Sequence, residues 1–337
     1  MKRGLVTAML LLCLWFYAGC TGPIRPSDMT FNRGAQLLAA GSPQSAIPFL
    51  TQTVVATPDG PEPLALLSLA YALDNQPERA MAEVKLVHRP AGMNPGWENV
   101  ATGIAHMSLH RPADAVGPLT QVANSGSPIA PAAGQWLVMA RLMSGDSENA
   151  RKDLQELALR PEMATTSLLW MALIEARAGE TAAAGKILAV NAQRMATPSG
   201  KRALASGLAN ADAQTLYDAG LAALAAGDFP KARELFTRVQ QNAETSDSAV
   251  WLALIAATTE PWQNARNQLA DACETGSPES RGLAHQLFSV ICALEDRPDG
   301  MIQHTLSGQR LLNRAANSRQ PVDMPAREEV WNSDSIK

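Results

Sequence analysis

At 337 residues the chain is 46% apolar, yet only 5% of it is aromatic. Small apolar residues in that abundance suit closely packed helices, and no alternating run of Val, Ile and Thr marks a strand. Its 28 Lys and Arg against 32 Asp and Glu, with no basic block, exclude recognition of nucleic acid or anionic lipid by charge.

The chain opens with Lys2-Arg3, an apolar run over residues 5–18 and a small-residue stop at Gly19-Cys20. This order predicts an export signal over residues 1–19. The run is too short for a membrane-spanning helix, which needs about 20 apolar residues. Tyr17-Ala18-Gly19-Cys20 resembles a bacterial lipobox, with Tyr17 in place of the usual Leu. That resemblance implies cleavage before Cys20 and its acylation, palmitate included. Thr21 after the Cys implies sorting to the periplasmic face of the outer membrane. Residues 20–28, with Pro23 and Pro26, read as a short tether reaching at most about 28 Å.

Residues 216–239 are the clearest local statement. Leu216, Ala219, Gly220 and Ala223 form one apolar stripe at helical spacing, and Ala232, Leu235, Phe236 and Val239 form another. Gly227-Asp228 between them predicts a turn, so the stretch reads as a helical hairpin. Gly220 and Ala232 let the two backbones approach, and Phe236 fills the space beside them. A Gly, an Ala twelve residues later and an aromatic four beyond it resemble a tetratricopeptide (TPR) repeat.

Weaker copies recur along the chain. The Ala opening each second helix falls at Ala46, Ala80, Ala115, Ala150, Ala184, Ala232 and Ala265, with gaps of 34, 35, 35, 34, 48 and 33 residues. Twelve residues upstream stand mostly small residues: Gly34, Ser68, Gly103, Val138, Ala172, Gly220 and Ala253. Four residues downstream stand large apolar ones: Leu50, Val84, Leu119, Leu154, Leu188, Phe236 and Leu269. Five residues upstream lie Gly41, Asn75, His110, Gly145, Gly179, Gly227 and Glu260, mostly Gly or Asn, which accept the left-handed conformation that ends a helix.

The expected fold is therefore all-α, a TPR-like α-solenoid of about seven or eight repeats. Five repeats occupy 29–194, an insert or hinge 195–212, and a C-terminal array 213–312. That array holds two repeats and a degenerate unit over 281–312, with Gly300 where the Ala should be. Residues 313–337 read as a flexible tail.

Catalytic patterns are missing from the sequence: it has no HExxH, GxSxG or GxxxxGK[ST]. His106 and His110, four apart on one predicted helix face, read as structural, so neither metal nor cofactor is expected. The insert and the tail contain no His or Cys, which argues against an enzyme. Cys273 and Cys292 fall on consecutive antiparallel helices, roughly 15 Å apart along them, too far for a disulfide. Two buried free thiols are expected.

Trp136, Trp170 and Trp251 each stand fourteen residues before a repeat's Ala, and Met139, Leu173 and Leu254 follow three residues later. The TPR resemblance implies that this register faces a concave protein-binding groove; the alternative is that the rings pack between helices. Arg177 is the one basic residue placed to serve as a clamp in these repeats. The overall plan is similar to the TPR lipoproteins of Tad (Flp) and type IV pilus assembly. That likeness implies a membrane-tethered scaffold whose partners are a secretin, a pilus component or an outer-membrane assembly protein. Two other expectations fit the same plan: a scaffold in exopolysaccharide export, or a regulator of a cell-wall enzyme.

Overall fold

The structure, a computed structural model, describes residues 26–88, 96–242 and 248–318. Among these residues there are seventeen α-helices and no strand. They pair as consecutive hairpins: α1 (Pro26–Ala39) with α2 (Pro43–Ala56), α3 (Pro61–Leu73) with α4 (Pro77–Val84), and α5 (Trp97–Ser108) with α6 (Pro112–Ala123). Then come α7 (Ala130–Met143) with α8 (Ser147–Ala158), and α9 (Ala164–Arg177) with α10 (Thr181–Met195). After the short α11 (Pro198–Ser206) follow α12 (Ala213–Ala225) with α13 (Phe229–Asn242), and α14 (Ser248–Thr259) with α15 (Trp262–Glu274). The last pair is α16 (Pro278–Leu294) with α17 (Pro298–Ser318). Each hairpin also packs on the next, so the chain is a TPR-like solenoid.

The same contact builds each hairpin. All seven repeat alanines lie in the first turn of a second helix and are buried. Opposite them, the small column lets a large side chain in. A Cβ placed on Gly34 would lie 2.6 Å from Leu50, one on Gly103 2.5 Å from Leu119, and one on Gly220 2.8 Å from Phe236. Even a methyl group would displace the knob at these crossings.

The turns are built alike as well. Six of the seven residues of the turn column, from Gly41 to Gly227, adopt φ between 54° and 86°. Each closes its first helix with a pair of backbone bonds, as when Gly41 N–H donates to Leu38 O and Ser42 N–H to Leu37 O, both at 2.9 Å. His110 takes this conformation although its side chain opposes it. It therefore lies beyond the end of α5, and does not share a helix face with His106 as the four-residue spacing suggests. Glu260 is the exception in its column, because Pro261 follows directly and pushes it toward extended backbone.

Two further corrections and one refinement, the helix within the insert, concern the segments between and around repeats. The helix α1 starts at Pro26, within the stretch expected to be tether. The insert contains α11, capped by Thr197 and packed on α12, where Gly200 meets the backbone of Asp218. The chain does not become a tail at residue 313, because α17 runs on to Ser318 and Asn313 is buried. Residues 319–337 and the signal lie outside the described residues.

The terminal hairpin departs from the rest. Its helices are 17 and 21 residues long, against 8–15 in the other pairs. It stacks on α15 in series, and it also turns back against the inner face of the array. There α16 meets α7, α9 and α14, and α17 meets α5, each the first helix of its hairpin. Asn313 Nδ2 donates a buried hydrogen bond of 2.7 Å to Ala39 O at the end of α1. On the outside, His110 and Asp296, both left-handed turn residues, face each other at 4.0 Å. The solenoid is closed on itself by its own last hairpin.

Candidate partner-binding face

The three tryptophans of the expected groove have different surroundings. Trp251 is 2% exposed, stacked on Phe236 with ring centroids 6.2 Å apart, and its indole N–H donates to Tyr217 Oη at 2.8 Å. It packs between hairpins, and Leu254 beside it is equally buried. Trp170 is 4% exposed, with Met139 and Leu173 sealed around it. Its indole N–H has no hydrogen-bond partner among the described residues. Trp136 alone of the three is half-buried. The row is therefore not one open surface: the chain's own helices cover most of it. Arg177 is exposed, and its guanidinium lies 5.6 Å from the ring centre of Trp262 on α15. The lipidation residue Cys20 lies outside the described residues.

Between the inner face and the terminal hairpin is a cavity of about 100 Å³. The array side of its wall is mostly apolar, with Leu38, Leu69, Trp97, Trp136 and Trp170 beside a single Gln135. The hairpin side offers Gln286, Ser289, Thr305 and Gln309 around a single Leu306. These polar groups bond within the hairpin rather than across the gap. Ser289 Oγ donates to Gln286 O, Thr305 Oγ1 to Met301 O, and Gln309 Nε2 to Asn313 Oδ1. An apolar, Trp-rich wall thus faces a polar helix surface that covers it imperfectly.

Trp97 is the wall residue that the repeat register misses. It stands one helical turn before Ala101, the residue of the Trp column in this repeat, and so shares that helix face. Shifting the register by a turn would have found it.

Between repeats, the residue after the column Ala carries a recurrent ion pair. Arg151 binds Glu175 at 2.6 Å, Arg233 binds Glu260, and Arg266 binds Glu295 at 2.8 Å. Each links one hairpin's second helix to the end of the next hairpin's first. Their partial exposure keeps each worth about 0–1 kcal/mol.

No family model matches the chain, and no curated protein matches it. Among solved structures, the crystal structure of the APC/C hetero-tetramer Cut9-Hcn1 is similar over 91% of this chain, at 14% identity and a TM-score of 0.37. This chain spans 59% of that neighbour's length. The assignment of the fold rests on the hairpins themselves.

Proposed function

We propose that the chain is a non-catalytic scaffold, tethered by lipid on Cys20 at the periplasmic face of the outer membrane. Its role is to gather protein partners during assembly of an envelope machine such as a pilus or secretion system. The observation that carries this reading is the wall formed by Trp97, Trp136 and Trp170 opposite a polar hairpin. Buried Trp is a common binding anchor, and an amphipathic partner helix would cover this wall better than Gln286 and Gln309 do. The inner face already holds a helical hairpin in cis, which is the shape of ligand it would take in trans. A tether ending near Pro26 confines that face to a thin layer beside the membrane and raises its effective concentration for membrane-bound partners.

A photo-crosslinking residue beside Trp136, used in intact envelopes, tests the proposal. The expected product is a secretin, a pilus component or an outer-membrane assembly protein, lost in Trp136→Ala. Capture unaffected by that substitution removes the wall from the reading. Cys20→Ser is expected to abolish acyl labelling and membrane partitioning; a variant that still partitions removes the anchor.

A further inference from the structure

Three consecutive helices bring together the side chains that soft and borderline metal ions prefer. Cys273, 2% exposed, stands in the last turn of α15; His285 lies on α16 and His304 on α17. One ligand atom from each lies within 4.8 Å of the other two. The imidazoles face one another directly, Nδ1 to Nδ1 at 2.8 Å, with ring centres 4.9 Å apart. Phe288 also packs against His304, with ring centres 4.6 Å apart, which restrains that ring. Arg281 Nε donates to Cys273 O at 3.0 Å and so fixes the end of α15.

We propose that Cys273, His285 and His304 bind a divalent transition-metal ion of the zinc type, with water in the fourth position. Cys thiolate and His nitrogen are zinc's usual donors, and three protein ligands leave one place open. Both His side chains are half-buried, so solvent reaches the open side. In a tetrahedral site with Zn–N bonds of about 2.0–2.1 Å, two nitrogens stand roughly 3.3 Å apart. The rings therefore need to part by roughly half an ångström, within the reach of side-chain rotation.

The neutral imidazoles suit this role, and the protonated thiol opposes it. Burial and the neighbouring His285 push His304 down to about 4, and burial lowers His285 as well, so both rings are neutral near pH 7. Arg297, Arg281 and Arg310 act in the same direction, while Glu274 opposes them. Burial pushes the Cys273 thiol up to about 12, so it carries its proton until an ion arrives. Binding then replaces the S–H bond with a sulfur–metal bond and releases one proton to solvent. In each imidazole the remaining N–H sits on the nitrogen that does not bind the ion, so the rings release none. The ion would tie α15 to both helices of the hairpin that closes the solenoid. This inference does not depend on the scaffold reading.

Metal-free full-length protein titrated with Co²⁺ and Zn²⁺ is the test. Expected are the visible bands of tetrahedral cobalt, a thiolate-to-metal charge-transfer band, displacement of both by Zn²⁺, and one proton released per ion. His304→Gln, at a half-buried site where helicity is readily checked, should lower affinity by more than the roughly 10–100-fold that loss of a supporting residue costs. Cys292→Ala should leave the spectrum unchanged, since that thiol lies outside the cluster. A spectrum of aqueous cobalt only, His304→Gln binding as wild type does, or loss of the charge-transfer band in Cys292→Ala would each overturn the proposal. The first would leave the two histidines as a hydrogen-bonded pair.

Discussion

The sixth hairpin, α12–α13, and the last, α16–α17, use one plan for different ends. In the sixth, Gly220 and Ala232 admit Phe236, and the crossing is buried, apolar and sealed by Trp251 from the next repeat. In the last, counting from its turn at Asp296 places Met301 at the Ala position and Thr305 at the position of the large knob, one residue beyond the Gly300 expected from the sequence. Both hairpins keep the left-handed turn, at Gly227 and at Asp296. Turn geometry thus survives where core chemistry has changed. The hairpin that turns back on the array gives its crossing to polar side chains and its length to closing the array.

The largest test of this contrast is Phe236→Ala. Truncating a fully buried aromatic ring is expected to cost about 3–5 kcal/mol, read from denaturant unfolding of the whole chain. A cost near zero would mean that the crossing is not tightly packed. Asn313→Ala should cost roughly 1–3 kcal/mol, because it leaves Ala39 O buried without its donor. It should also raise hydrogen exchange at the end of α1; an effect confined to α17 would break the closure.

The acid response should separate the two hairpins next. His304 titrates near 4 in the folded chain, against an ordinary value of 6.5. Between those values the unfolded chain binds more protons, so stability rises with pH and falls on acidification from 6.5 toward 4. In metal-free protein, the melting temperature should fall less steeply over that window in His304→Gln than in wild type. Equal slopes would show that this ring is solvated. The smallest effect belongs to His110→Gly, which relieves a side chain held at φ 54° and should stabilise by up to about 1 kcal/mol. A loss instead would show that its contact with Asp296 outweighs the strain.

The repeat frame was legible because its constraints are local and severe. All seven second helices bury an Ala such as Ala46 in their first turn, and at Gly103 even a Cβ would collide with Leu119, so the columns show through. The turns were legible to the same degree, with His110 as a case where position told more than residue type. The division of the Trp row was not legible. Trp136 and Trp251 occupy equivalent positions, and only the neighbours supplied by other repeats, Tyr217 and Phe236, decide that the second is sealed. Cys273, His285 and His304 were missed for a related reason. They come from three helices at unequal spacing, and a search for ligands at fixed intervals passes over them. The closing contact of Asn313 leaves no period in the sequence at all.

That last bond, spanning 274 positions, changes how the molecule can be made. An open array of hairpins can complete each unit as soon as the next has been synthesised, since its contacts are local. Here the end of α1 waits for a partner almost at the opposite end of the chain. The early hairpins spend the whole of synthesis with their Trp-lined wall uncovered. Truncation anywhere before residue 313 would leave the carbonyl of Ala39 without the donor that joins the two ends of the array.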